Sequence, residues 1–214
     1  MFTRDKTIEI RCIVAKKERL GLGVLFHLLG DSSWNVRETL AKNPWLPGFL
    51  VWKLACDSDP CVRHSIAARL NLPEGLVRKL AADWDESVRQ VIAQRSNLPE
   101  DLVYKLAEDK ASSVRSRIAA RSNLPEEWVD KLAADWATSV RRSIAERPDL
   151  REDVVKMLSE DKDVLVRRSI AAREGLPEAV IISLVLETET VPAIFFIDRE
   201  DIPKDIKAKL ALLS

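Results

Sequence analysis

Several classes of protein are excluded by what this sequence lacks. Its longest apolar stretch, Leu20 to Leu29, is interrupted by His27 and is too short to span a bilayer. The N-terminus has no unbroken apolar run of the kind an export signal needs, and the three cysteines form no disulfide framework, so we expect a cytoplasmic protein. Basic and acidic residues number 34 each, and this zero net charge provides no bulk attraction to nucleic acid or to an anionic membrane.

Catalytic signatures are also lacking. The six glycines form none of the glycine-rich loops that bind phosphates, and neither His27 nor His64 has a nucleophile or carboxylate at a motif spacing. Cys56, Cys61 and His64 could offer three zinc ligands, but a fourth would have to come from as far away as Cys12. We interpret these cysteines as buried thiols. The sequence predicts a protein that is not an enzyme, with no catalytic residue, cofactor or metal site.

The sequence does contain an internal repeat with a period of 26 residues. Its clearest phrase is Ile-Ala-Ala-Arg-Ser-Asn-Leu-Pro-Glu, from Ile118 to Glu126. A fixed period of this size indicates stacked units that bury their apolar faces on their neighbours. A Val-Arg pair marks six of the units: Val36-Arg37, Val62-Arg63, Val88-Arg89, Val114-Arg115, Val140-Arg141 and Val166-Arg167.

The unit from Asp109 to Ala134 shows what one repeat contains. The spacing of its apolar residues predicts a short helix over Val114 to Arg121, with Ser112 or Ser113 as its N-cap. Pro125 suits the first position of a second helix, because its missing N–H costs nothing there. An alanine recurs at one position of the first helix, and so small a side chain indicates close contact between adjacent helices. These alanines are Ala15, Ala41, Ala67, Ala93, Ala119, Ala145 and Ala171.

The register covers almost the whole chain, from about Asp5 to Leu212, without an insertion or a linker. We predict a single repeat domain over residues 1–214. It consists of a degenerate first repeat at about 5–30, regular repeats at about 31–186 and a capping repeat at about 187–214. In the cap, Phe196 takes a core position, and we expect the tail from Leu210 to Leu213 to cover Phe195.

The repeat resembles that of the leucine-rich repeat variant family, which is similar in kind to the HEAT and armadillo solenoids. The matching phrase is an acidic residue, then Val-Arg, Ile-Ala-x-Arg, Asn-Leu-Pro and Leu-Ala, as in Asp83 to Ala107. The resemblance implies a right-handed superhelix of alternating α and 3₁₀ helices. The fold class is therefore an all-α solenoid of about eight two-helix repeats. Some family members carry an iron–sulfur domain held by clustered cysteines, and this chain has no such cluster.

Arginine recurs in two columns, and an acidic column has the same period. An arginine that returns in every unit with a matching acid favours a ladder of ion pairs and carbonyl hydrogen bonds over a phosphate-binding stripe. The first column is Arg11, Arg37, Arg63, Arg89, Arg115, Arg141 and Arg167. The second is Arg69, Arg95, Arg121, Arg147, Arg173 and Arg199. The acidic column is Asp5, Asp31, Asp57, Asp83, Asp109, Asp135, Asp161 and Glu187.

Other basic residues recur in only some of the repeats. Arg117, Arg142 and Arg168 lie outside the columns, on the first helices of repeats five to seven, and could hold a nucleic-acid backbone. A solvated helix face is the plainer interpretation.

The tryptophans divide by register. Trp84 and Trp136 fall in inter-repeat turns, where they could pack over the stack or anchor a partner. Trp128 instead takes a core position of a second helix, and Trp52 lies in a second helix beside Leu50 and Leu54.

The function predicted from these features is that of a non-enzymatic scaffold. We expect a monomer that binds a protein or peptide partner on one face and does not bind membranes. The alternative is a nucleic-acid-binding solenoid that uses the arginine-rich face of repeats five to seven. A third hypothesis, a DNA glycosylase of the HEAT-like kind, would need an aromatic-lined cleft with a catalytic carboxylate, which the sequence does not identify.

Overall fold

A computed structural model gives the architecture, and it describes residues 7–186 and 192–212. This part of the chain contains sixteen α-helices and no strand. The helices are α1 Ile8–Ala15, α2 Leu22–Leu29, α3 Trp34–Ala41, α4 Gly48–Leu54, α5 Pro60–Ala67, α6 Glu74–Leu80, α7 Glu86–Ala93, α8 Glu100–Ala107, α9 Ser112–Ala119, α10 Glu126–Ala133, α11 Thr138–Ala145, α12 Glu152–Ser159, α13 Val164–Ala171, α14 Glu178–Leu186, α15 Ile194–Ile197 and α16 Lys204–Ala211. None of them is long and apolar enough to cross a membrane.

Two helices per repeat are confirmed, with differences at their ends. In the unit used for prediction, α9 starts two residues earlier than expected, and its N-cap is Ala111 rather than a serine. Pro125 is the N-cap of α10 and not its first residue. Elsewhere aspartates cap first helices: the side chains of Asp59, Asp85 and Asp163 each accept a hydrogen bond from the backbone N–H two residues on. Both helices of each described repeat are α, where the family resemblance implied alternation with 3₁₀.

The described residues form two compact units that divide between Leu106 and Ala107. In the N-terminal unit, first helices of consecutive repeats pack in the order α1, α3, α5 and α7, with the second helices beside them. In the C-terminal unit, α9, α11 and α13 pack in the same way. The single domain proposed for residues 1–214 concerns both units together and stays a prediction.

The core of each unit is made from the same repeat positions. The valine and isoleucine of the first helices α5, α7, α9, α11 and α13 are fully buried, as Val62 and Ile66 are in α5. All seven recurring alanines are at most 1% exposed, so neighbouring first helices have no room for a larger side chain there. These helices have seven to nine residues, apart from α15, and would be marginal alone, so packing between repeats stabilises them.

The C-terminal repeat confirms one expectation about the cap and corrects another. Phe196 is fully buried, as its register predicts. Phe195 remains 46% exposed and Leu212 87% exposed, so the part of the tail within the described residues does not cover Phe195. Leu213, which was also expected to cover it, lies outside those residues. Within the described part of the tail, only Leu210, which is fully buried, joins the core.

Candidate partner-binding surfaces

The first arginine column forms a ladder of ion pairs between repeats. Arg141 Nε and Nη2 donate to the two carboxylate oxygens of Asp161 over 2.6 and 2.9 Å, while Nη1 donates to the backbone carbonyl of Asp135 at 2.8 Å. Arg141 thus pairs with the carboxylate of the following repeat, and within its own repeat it bonds backbone carbonyls and not the carboxylate. The same geometry occurs in Arg11–Asp31, Arg37–Asp57, Arg63–Asp83 and Arg115–Asp135. Asp5 and Glu187, at the ends of the acidic column, lie outside the described residues.

The ladder is buried, and its charges depend on one another. The side chains of Arg141 and Asp161 are 6% and 7% exposed. Burial alone would raise the pKa of Asp161, but the hydrogen bonds from Arg141 and from the backbone N–H of Asp163, together with the nearby positive charge, hold that pKa below its usual value. The pKa of Asp57 is lowered in the same way, through Arg37. These carboxylates therefore stay ionised inside the stack at neutral pH.

The second arginine column bonds backbone carbonyls of the preceding repeat. Arg69 Nη1 donates to the carbonyls of Ala41 and Asn43, both at 2.8 Å. Burial lowers the pKa of Arg69, as it does for three other members of this column. Asn43 occupies the column position in repeat two and donates from Nδ2 to the carbonyls of Ala15 and Lys17 over 2.8 and 2.9 Å. Sequence analysis missed this role, although the shared register identifies it.

Trp84 and Trp136 pack over the stack on one side and remain exposed to a partner on the other. The Arg63 guanidinium lies 4.7 Å from the centroid of the Trp84 ring, and that of Arg115 lies 5.0 Å from the Trp136 ring. Each indole is therefore packed against a ladder arginine that an aspartate already fixes. The two side chains are nevertheless 68% and 75% exposed. They are ordered aromatic groups that offer most of their surface to solvent.

The three additional arginines are all exposed on first helices of the C-terminal unit. Arg142 and Arg168 line one open groove of about 780 Å³ along α11 and α13, while Arg117 lies on α9. Acidic residues are interspersed with them, since Arg142 Nε donates to Glu146 Oε1 at 2.8 Å and Glu174 lines the same groove. The groove therefore has mixed charge rather than the continuous positive surface that a nucleic-acid backbone favours.

Two solved structures share this arrangement of helix pairs. One, described as a leucine-rich repeat variant with a novel repetitive protein structural motif, is 26% identical to this chain, with a TM-score of 0.69. The match covers 100% of this chain and 79% of that one. The resemblance to the leucine-rich repeat variant is confirmed. The other, YibA of Escherichia coli, is 19% identical over 95% of this chain and 85% of its own, with a TM-score of 0.57. No family model and no curated protein sequence matches.

A leucine-rich repeat variant fold is of the scaffold type, because stacked repeats present an extended surface whose side chains can vary from unit to unit. In both recurring columns, the arginines described above bond carboxylates or backbone carbonyls of a neighbouring repeat. Their role is therefore structural. The surface that distinguishes this chain must therefore come from residues that break the repeat. Trp84 and Trp136 are two of them, since neighbouring repeats have Ser58, Lys110 and Lys162 at that position.

Two further expectations are corrected by side-chain exposure. Cys56 and Cys61 are exposed rather than buried. Slight desolvation of the Cys61 thiol and the acidic groups around it, Asp59 first among them, raise its pKa. Within residues 7–186 and 192–212, no group of three or more histidine, cysteine or acidic side chains could hold a metal ion. Trp52, which the sequence placed beside core leucines of a second helix, is 44% exposed, whereas Trp128 is buried as its register predicts.

Proposed function

We propose that this chain is a non-enzymatic, cytoplasmic scaffold that binds a protein or peptide partner. The observation that carries this proposal is the state of Trp84 and Trp136. Each indole is fixed on one side by a ladder arginine and exposed on the other. Tryptophan and arginine are enriched among the residues that dominate binding energy, and an aromatic group that is ordered beforehand loses little conformational entropy when a partner covers it.

Nucleic-acid binding is the second candidate, because Arg142 and Arg168 line one groove. Three observations favour the scaffold instead. Glu146 and Glu174 lie in the same groove, Arg142 is bonded to the first of them, and the chain as a whole has zero net charge. A surface that bound nucleic acid mainly through phosphates would need more positive charge than this groove supplies.

A displayed library of random peptides, selected against the intact chain, tests the proposal. We expect peptides with micromolar affinity whose binding is lost in Trp84→Ser/Trp136→Lys, a variant that restores residue types found at this turn in neighbouring repeats. Arg117→Ala/Arg168→Ala serves as the matched surface control and should leave the affinity unchanged. In parallel, labelled duplex DNA and single-stranded RNA are titrated near physiological salt. Sub-micromolar nucleic-acid binding that weakens steeply with salt would overturn the scaffold proposal.

A further inference from the structure

An exposed aromatic surface runs along the second helices of the N-terminal unit. We call it the outer aromatic face and define it as Leu22 and Phe26 of α2 with Phe49 and Trp52 of α4. All four side chains are between 44% and 58% exposed. The rings of Phe26 and Phe49 lie 6.2 Å apart, so the face is continuous from one repeat to the next. Trp52 reaches towards the following repeat, where its ring would lie 3.2 Å from a Cβ added at Gly75.

The repeat register shows that this face is a local replacement for an ion pair. Arg78 of α6 lies two repeats after Phe26, and Asp101 of α8 lies two repeats after Phe49. Arg78 Nη1 donates to Asp101 at 2.5 Å and its Nε donates to Glu74 at 2.8 Å. The same pair of positions is therefore filled by two tilted rings at one junction and by charges at another. The fold does not require aromatic residues at these two positions, because an ion pair joins the equivalent positions of α6 and α8.

A row of lysines borders the outer aromatic face. Lys53 follows Phe49 by one helical turn, and Lys79 follows Gly75 in the same way, so neither has an acid at the preceding turn. Both are exposed, and within the described residues the ammonium group of neither has a hydrogen bond or an ion pair. In the C-terminal unit the equivalent Lys131 is paired with Glu127 at 2.7 Å. The face thus combines exposed rings with basic groups that have no internal partner.

We propose that the outer aromatic face binds an amphipathic, acidic helix of a partner protein. Second helices of adjacent repeats should lie about 8–10 Å apart. Residues seven positions apart on a helix are separated by about 10 Å, so apolar residues two turns apart would meet Phe26 and then Phe49 and Trp52. Acidic residues on one flank of that helix would meet Lys53 and Lys79. The proposal rests on the scaffold function above and adds to it a second surface and a stated partner chemistry.

Two other occupants fit this face less well. An anionic membrane is flat and would contact α6 and α8 as well, where Glu74 and Asp101 already pair with Arg78, whereas a single helix can contact the rings and the lysines alone. A second copy of this chain, placed face to face through a twofold axis, would bring the same basic groups of Lys53 and Lys79 towards one another with no acid from the face between them. A separate acidic helix supplies the carboxylates that Lys53 and Lys79 lack on this face.

The test uses the full chain and three labelled helical peptides of about 20 residues. All have leucine and tryptophan along one face; the flanks carry glutamate in the first and lysine in the second, and the third is a scrambled form of the first. Fluorescence anisotropy near physiological salt should show micromolar binding of the glutamate peptide and about tenfold weaker binding of the lysine peptide. Lys53→Glu/Lys79→Glu should reverse this preference. Lys131→Glu/Lys156→Glu, with the same change of net charge, should not.

A second variant tests the rings without removing the geometry of the junction. Phe26→Arg/Phe49→Asp installs the ion pair already present at Arg78 and Asp101, so it should keep its helical circular dichroism and bind the glutamate peptide about tenfold less tightly. Equal binding by this variant, or no reversal in the lysine variant, would overturn the proposal. So would binding to vesicles of mixed neutral and anionic lipid, or dimerisation in sedimentation runs, if either were abolished by the ring substitutions.

The outcome for this face is separable from that for the scaffold function. If peptides selected from the library bind through Trp84 and Trp136 while the glutamate peptide does not bind, the inference fails and the scaffold function stands. Binding of the glutamate peptide should persist in Trp84→Ser/Trp136→Lys, because those turns are not part of the outer aromatic face. Loss of binding in that variant alone would move the peptide site to the turns and overturn the proposed location.

Discussion

The buried ladder and the outer face of the second helices obey opposite rules. In the ladder, the same arginine–aspartate pair returns from Arg11–Asp31 to Arg141–Asp161, with contacts of 2.6–2.7 Å. On the outer face, positions related by the same register carry a pair of tilted rings at Phe26–Phe49 and an ion pair at Arg78–Asp101. One region tolerates almost no change, whereas the other changes its chemistry completely.

This difference follows from burial. A charged pair inside the stack is stable only while both partners and their carbonyl acceptors are present, so every repeat must supply all of them. On the exposed outer face, water can replace any partner, and the choice of side chain has little effect on folding. In a repeat protein, residues that recur therefore report on structure, and residues that break the repeat are the ones free to serve binding.

The largest effect is expected from breaking one rung of the ladder. Arg141→Ala leaves the buried carboxylate of Asp161 without its guanidinium partner and removes a donor from two carbonyls. We expect the free energy of unfolding to fall by about 3 kcal/mol, measured by urea denaturation followed by circular dichroism. The adjacent Arg142 provides a matched control, since Arg142→Ala breaks only a surface pair with Glu146 and should cost less than about 0.5 kcal/mol. Equal losses in the two variants would contradict the structural role of the ladder.

A smaller effect is expected from the asparagine that replaces an arginine of the second column. Asn43→Ala removes the donors to the carbonyls of Ala15 and Lys17, and also the oxygen that accepts from the backbone N–H of Trp45. No charge is left unpaired, so we expect a loss of about 2 kcal/mol in the same denaturation experiment. Lys42→Ala, at the neighbouring exposed position, is the control. A neutral Asn43→Ala would show that these carbonyls find water instead.

Acid should weaken the ladder without changing its residues. The pKa values of Asp57 and Asp161 are lower in the folded chain than in the unfolded chain, so their stabilising effect is complete above about pH 4 and is lost as the pH falls further. Melting temperature should therefore change little between about pH 7 and pH 5 on account of these two groups and fall below about pH 4. Asp161→Asn should reduce the steepness of that fall. A decline of the same steepness in the variant would exclude Asp161 as a contributor.

How far the sequence predicted this molecule depends on whether a feature recurs. The helix pairs, the buried alanines and the ladder were all predictable, because several repeats carry the same signal. The sequence could not predict which aspartate pairs with each arginine. One aspartate lies in the same repeat as the arginine and another lies 26 residues later, and only the packing of the helices distinguishes them. The exposure of Trp52 was missed because leucines beside it in sequence suggested a core position, while its register mate Arg78 indicated an exposed one.

The smallest effect on stability is expected where the chemistry of the outer face is exchanged. Phe26→Arg/Phe49→Asp replaces an exposed ring pair by the pair that already joins Arg78 and Asp101. An exposed ring pair and an exposed ion pair each contribute about 1 kcal/mol or less, so the free energy of unfolding should change by less than about 1 kcal/mol. Phe49→Asp alone leaves the carboxylate without its arginine and should be slightly less stable than the double variant. A loss above about 2 kcal/mol in the double variant would mean that the rings belong to the core, and the face would then not be free to bind a partner.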